Sequence, residues 1–268
     1  MNIRPYILPV AAISLGFGWA AAPTVTVRQQ DDWCRDNYRG DRGWFCEVRE
    51  FSMNPGDLRR IDASPNGGIS VTGWDRNEVY VVAKVQANAY DDADAEEMVS
   101  EVEINTSGRT LEADGPRTGR NESWSVSYRI SVPYNFDLDM NSTNGGITIE
   151  SVTGNLDFHT TNGGATLIDV GGDVRGRTTN GGLKIELAGS EWDGPGLDVQ
   201  TTNGGVRLLI PDDYNANLIS GTTNGGIRVN FPITVSGRID RRINAELGRG
   251  GATIKVTTTN GGVTIDRR

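Results

Sequence analysis

The sequence predicts an all-β protein: a parallel β-solenoid with a strand-rich N-terminal cap and one short helix. Three observations lead to this fold class. The phrase TTNGG stands at 160–164, 178–182, 201–205, 222–226 and 258–262, with STNGG at 142–146 and a more distant SPNGG at 64–68. Apolar and polar residues alternate on both sides of each phrase, and the apolar parity switches across it. Glycine is abundant (35) and proline scarce (10), with no Gly-X-Y period, so many tight turns are implied rather than collagen or a disordered linker.

Each element follows from aligning the repeats on Asn144, Asn162, Asn180, Asn203, Asn224 and Asn260. Six residues before the asparagine stand Leu138, Leu156, Val174, Leu197, Leu218 and Ile254; four before it, Met140, Phe158, Gly176, Val199, Ser220 and Val256. Three residues after it come Ile147, Ala165, Leu183, Val206, Ile227 and Val263; five after it, Ile149, Leu167, Ile185, Leu208, Val229 and Ile265. A period of two marks a strand, so each repeat is a strand, a sharp corner and a second strand, both facing one core. Asn-Gly is expected to supply the φ > 0 backbone of the corner.

Two architectures satisfy this pattern. The phrases close antiparallel hairpins, giving a hairpin sandwich, or each repeat is one coil of a parallel solenoid with its corner stacked on the next. The asparagines are spaced by 18, 18, 23, 21 and 36 residues, and the surplus gathers opposite the NGG, in AGSEWDGPG at 188–196 and IPDDYNA at 210–216. Repetition with insertions at one corner favours the solenoid. Stacking would also let each threonine and asparagine hydrogen-bond its own copy. The 36-residue gap reads as an irregular coil or an excursion. Around Asn66, Ile61 and Ala63 sit on the wrong parity while Ile69 and Val71 fit, which implies an N-terminal coil of different shape.

The remaining chain divides into three. Residues 1–22 carry Arg4, an apolar stretch too short to span a bilayer comfortably, and Ala20–Ala22, as an export signal does. Residues 23–48 hold Cys34 and Cys46, the only two cysteines, which an oxidising compartment would join in one disulfide. Residues 49–136 read as strands, interrupted by a helix at 91–102 with acidic residues in its first turn, before the solenoid at 137–268. The C-terminal Arg267 and Arg268 are placed to discourage stacking at the open end.

The formal charge of −9 and pI of about 4.7 argue against a nucleic-acid partner. No residue pattern points to catalysis. His159, the only histidine, falls on an outward strand position and excludes the usual multi-histidine metal sites. The stretch Asp92–Glu103 has acids at positions 1, 3, 5 and 12 of a calcium loop but Glu97 where that loop needs glycine, so it reads as an acidic helix. No cofactor or metal is expected. If the coils stack, Asp157, Arg175 and Asp198 line up beside His159, Arg177 and Gln200 on the outer face. Such a patch can bind a glycan or carboxylate, or be a solvated face of ion pairs. Trp192, Tyr214 and Trp74 lie in or beside turns, either to stack on sugars or to cover the ends of the core.

The repeated T-[TS]-N-G-[GD]-hydrophobic-x-hydrophobic phrases, with GNLDFHTTNGGATL at 154–167 as one full unit, resemble a bacterial putative-adhesin family of unknown function. The resemblance spans roughly 60–268 and implies an exported or envelope-associated, right-handed β-solenoid. It carries over no catalytic or binding residue. The expected function is non-enzymatic: an adhesin-like protein of the periplasm, cell surface or exterior, with a surface glycan or envelope protein as partner. The alternatives are a periplasmic structural or stress-response module that binds a protein, and a polysaccharide-active enzyme.

Overall fold

The computed structural model describes residues 25–28, 32–35, 42–232 and 241–268; the expected signal segment lies outside them. The N-terminal part runs β1 (Thr26–Arg28), α1 (Asp32–Arg35), β2 (Gly43–Met53), β3 (Arg60–Asp62), β4 (Ile69–Trp74), β5 (Val79–Ala89), α2 (Asp92–Glu101), β6 (Glu103–Asn105), β7 (Thr110–Asp114) and β8 (Ser123–Pro133). Strand pairs follow, one on each side of an NGG corner. They are β9 (Leu138–Ser142) and β10 (Ile147–Glu150), β11 (Thr153–Thr160) and β12 (Ala165–Ile168), β13 (Gly171–Asn180) and β14 (Leu183–Glu186), and β15 (Gly196–Asn203) and β16 (Val206–Ile210). After β17 (Ala216–Asn224) and β18 (Ile227–Val229) comes a lone β19 (Arg242–Leu247), then β20 (Thr253–Asn260) and β21 (Val263–Arg267).

These strands form two sheets. Sheet I has the order β1-β2-β5-β8-β4-β10-β12-β14-β16-β21-β18, and sheet II the order β19-β17-β20-β15-β13-β11-β9-β3-β7-β6. The strand before each NGG lies in sheet II and the strand after it in sheet I. Hairpins would have paired these two strands with each other. Instead each pairs in parallel with its equivalent in the next coil, as in Ile147 opposite Ala165 opposite Leu183 opposite Val206. The architecture is therefore the parallel solenoid and not the hairpin sandwich. The aligned apolar rows are buried between the sheets, and only Ile227 and Val229, in the last strand of sheet I, are half-exposed.

The corner is built differently from the sequence expectation. No glycine or asparagine of an NGG phrase has positive φ; left-handed backbone gathers instead at the opposite turns, at Ser151, Asp169, Gly189, Gly194 and Asp213. The first glycine of each phrase is required by stacking. A Cβ on Gly145, Gly163, Gly181, Gly204 or Gly261 would sit 2.0–2.1 Å from the carbonyl oxygen of the corresponding glycine in the preceding coil of the stack. The first threonine points inward and is buried, and its hydroxyl bonds a glycine rather than its own copy. Thr160 Oγ1 donates to Gly145 O at 2.8 Å and Thr178 Oγ1 to Gly163 O at 2.6 Å. The asparagines do bond their copies. Nδ2 donates to the neighbouring Oδ1 at 2.7–2.9 Å along Asn66, Asn144, Asn162, Asn180, Asn203, Asn260 and Asn224.

That ladder shows that coil order in space departs from order in sequence. The final coil, β20–β21, lies between β15–β16 and β17–β18 in both sheets. The 36-residue gap is the excursion that allows this, and its strand β19 runs antiparallel along the outer edge of β17. Arg267 and Arg268 are thus not guards of an open end. Arg267 pairs with Asp212 at 2.6 Å and lies over the Phe231 ring, while Arg268 Nη1 donates to Leu187 O at 3.1 Å.

At the other end, β2, β5 and β8 continue sheet I in antiparallel fashion. Helix α2 packs on β2 and β5 through Ala95 and Val99, and its first turn is capped by Asp91, which accepts from Asp94 N at 2.9 Å. Residues 92–101 are helix, as their acidic N-terminus implies. A second, one-turn helix, α1, joins the single one expected; its Cys34 is bonded to Cys46 of β2, with the pair buried beside Val48 and Trp44. The unusual first coil is also explained. Ile61 pairs with Met140 and Asn66 with Asn144, so five residues span what four span in the next coil. The extra residue returns Ile61 to the core despite its parity.

Candidate functional site

The outward positions of sheet II form a regular grid because the coils stack in register. One row reads Asp157, Arg175, Asp198, Lys255 across β11, β13, β15 and β20; the row beside it reads His159, Arg177, Gln200, Thr257. All six residues singled out in the sequence come together. Neighbouring members are one strand spacing apart, about 4.8 Å. Lys255 and Thr257 were missed. They occupy the equivalent places before Asn260, but sequence order puts that coil at the far end and gives no sign of its insertion beside β15.

The ion pairing is selective. Arg175 turns along its own strand to Asp173 at 2.7 Å, and Lys255 reaches across to Asp198 at 2.8 Å. Asp157, His159, Arg177 and Gln200 have no side-chain hydrogen bond or ion pair among the described residues. The face is therefore not simply a mosaic of mutually neutralised charges. Between the two arginines, Gly176 turns inward without a side chain. The Phe158 ring fills that space, since a Cβ there would lie 2.0 Å from its Cζ. The surface above it is a shallow depression of about 120 Å³ bounded by Arg175, Arg177, Asp198, Gln200 and Lys255. Drug-sized molecules occupy pockets of roughly 300–1,000 Å³, so this hollow suits one charged group of a larger ligand.

A larger cavity, about 770 Å³, opens at the cap between β1, β2 and the segment 104–107. Its charged side chains are already committed: Arg49 donates to Glu47 at 2.6 Å and to the carbonyls of Val99 and Val102 at the end of α2. The turn aromatics are structural. Trp192 is buried and donates to Gly172 O at 2.9 Å. Tyr214 is buried as well, and burial, followed by the nearby Glu191, pushes its phenol up to about 12. Neither is the exposed sugar platform considered from sequence. Trp74 is half-buried, stacked on Tyr80 and spanned by Arg76. Among the described residues, no three of His, Cys, Asp and Glu come together in a way that holds a metal ion.

Comparison with known proteins gives the following. No curated protein sequence matches the chain. Among solved structures it is similar to a putative cell adhesion protein from Clostridium sporogenes, at 11% identity and a TM-score of 0.41, covering 85% of this chain and 100% of that one. It is similar to a putative adhesin from Bacteroides fragilis, at 14% identity and a TM-score of 0.41, over 82% and 97% of the two chains. A putative lipid binding protein from Parabacteroides distasonis matches at 13% identity and a TM-score of 0.29, over 83% and 96%. The Toastrack DUF4097 family model matches residues 63–266, the whole stack of coils from the first NGG phrase to the last strand, and the chain belongs to that family.

Proposed function

We propose that this chain is an exported, non-enzymatic interaction protein of the cell envelope, adhesin-like in that it presents the outer face of sheet II to a partner at the cell surface. The observation that carries this reading is the grid of outward polar side chains, five of them without a side-chain partner among the described residues, held at fixed spacing by a solenoid whose interior is packed with apolar rows. A rigid face with regularly repeated polar groups suits recognition of an extended partner better than chemistry on a small one. The Cys34–Cys46 disulfide supports export, because such bonds persist in oxidising compartments. Among the described residues no helix is long and apolar enough to cross a membrane.

The test is labelling of intact cells with a membrane-impermeant amine reagent. Lys184 and Lys255 have exposed side chains on the two outer faces. Labelling of this protein while a periplasmic control stays unlabelled is the expected result. Labelling only after the outer membrane is disrupted would reject surface display and leave a partner inside the envelope.

A further inference from the structure

Resting on that reading, we propose the ligand class: the row His159, Arg177, Gln200, Thr257 binds an acidic glycan, a polysaccharide with carboxylates at intervals, laid along the solenoid axis and across the strands. Three features point to it. The Arg177 guanidinium, unpaired among the described residues, lies at the edge of the shallow hollow above Gly176, where its planar fork is open to a carboxylate. His159 on one side and Gln200, then Thr257, on the other add hydrogen-bonding groups along the row, and the carboxylate of Asp157 accepts from hydroxyl groups. The spacing of about 4.8 Å between coils is close to the advance per sugar along an extended glycan, so successive sugars meet successive coils.

The same features disfavour other polymers. The strands of this face are paired on both sides, which leaves no free edge for an acidic peptide to extend as a further strand. The protein's net charge of −9 and the Asp157 carboxylate repel a densely anionic chain. A polymer with many hydroxyls and sparse carboxylates meets both conditions. Lys255 contributes by neutralising Asp198, which would otherwise repel the ligand's carboxylate beside Arg177.

Calorimetric titration of the purified protein with hyaluronate oligosaccharides, in which only every second sugar carries a carboxylate, tests this, with their fully methyl-esterified forms and poly-glutamate as comparisons. Binding to the acid form, at least tenfold weaker for the ester, is expected. Arg177→Ala should weaken it tenfold or more and Gln200→Ala about threefold, while Arg207→Ala on the opposite face leaves it unchanged. Unaltered circular dichroism and melting of each variant separate lost binding from lost fold. Equal binding of acid and ester, an unaffected Arg177→Ala, or no binding overturns the proposal, and tighter binding of poly-glutamate replaces it with an acidic peptide. Surface labelling without glycan binding removes only this inference. Glycan binding by a protein that is shielded in intact cells removes surface display and keeps the site.

Discussion

A methyl group added to Gly163 would place its carbon 2.1 Å from the Gly145 carbonyl oxygen, whereas one added to Gly226 would meet nothing within 4 Å. Gly163 is the first glycine of its phrase and Gly226 the second of another, and only at Gly163 does the added carbon run into a neighbouring coil. Backbone cannot swing aside as a flexible side chain does. Gly163→Ala should therefore cost about 3 kcal/mol or more, at the upper end of overpacking penalties. Gly226→Ala should leave stability unchanged or raise it by up to about 1 kcal/mol, since alanine restricts the unfolded chain. Denaturant unfolding of both variants measures the difference. A glycine-rich corner was legible in the sequence; its cause was not. Asn-Gly commonly signals left-handed backbone in a hairpin, and only the distance between stacked coils shows that close approach is the reason here. The threonine was read in part for the same reason: its recurrence shows stacking, but its acceptor, a glycine carbonyl, belongs to the neighbouring coil.

Strands were the most legible level, because burial on one face writes a period of two into the chain. Where the period failed, at Ile61, one extra residue had been inserted between strand and corner. The end of β3 is also where the cap joins the repeats. Burial alone would raise the Asp62 carboxyl, but hydrogen bonds from Ser64, through both its backbone N–H and its hydroxyl, and from Asn141 and Arg60 outweigh it and hold it below its usual 3.8. Asn141 and Ser64 N lie 3.0–3.3 Å from its oxygens. A lowered folded-state value means stability that is fully present above pH 3.8 and is lost as pH falls through the folded value. Asp62→Ala should cost about 1 kcal/mol at neutral pH, the net worth of such bonds. Its gap from the parent protein should narrow below pH 3.8. A gap that is constant down to pH 2, followed by urea unfolding, would show that the charge of Asp62 contributes nothing to this joint.

At the scale of the molecule, the sequence made a stack of coils legible but not their order. Every coil offers the same inward rows and the same TTNGG corner, so the edge of β15–β16 accepts either of the two coils that remain, and no local signal chooses between them. The choice matters for the proposed site: insertion of β20 is what brings Lys255 to Asp198 and Thr257 beside Gln200. The six residues singled out in the sequence lie side by side, and their rows were read short along one edge for this one reason. Assembly of this patch by stacked coils, the last of them inserted, is the central claim, and paired cysteines test it most directly. Arg207 lies opposite Thr264 in register, and Thr264 opposite Arg228. The first two are therefore one strand spacing apart, and Arg207 and Arg228 are two, about 9.6 Å. A disulfide needs Cα atoms within about 7 Å. Oxidation of the Arg207→Cys, Thr264→Cys variant should give an intramolecular cross-link, read by mass spectrometry, while the Arg207→Cys, Arg228→Cys variant stays reduced. The reverse pattern would put the coils in sequence order and contradict the account.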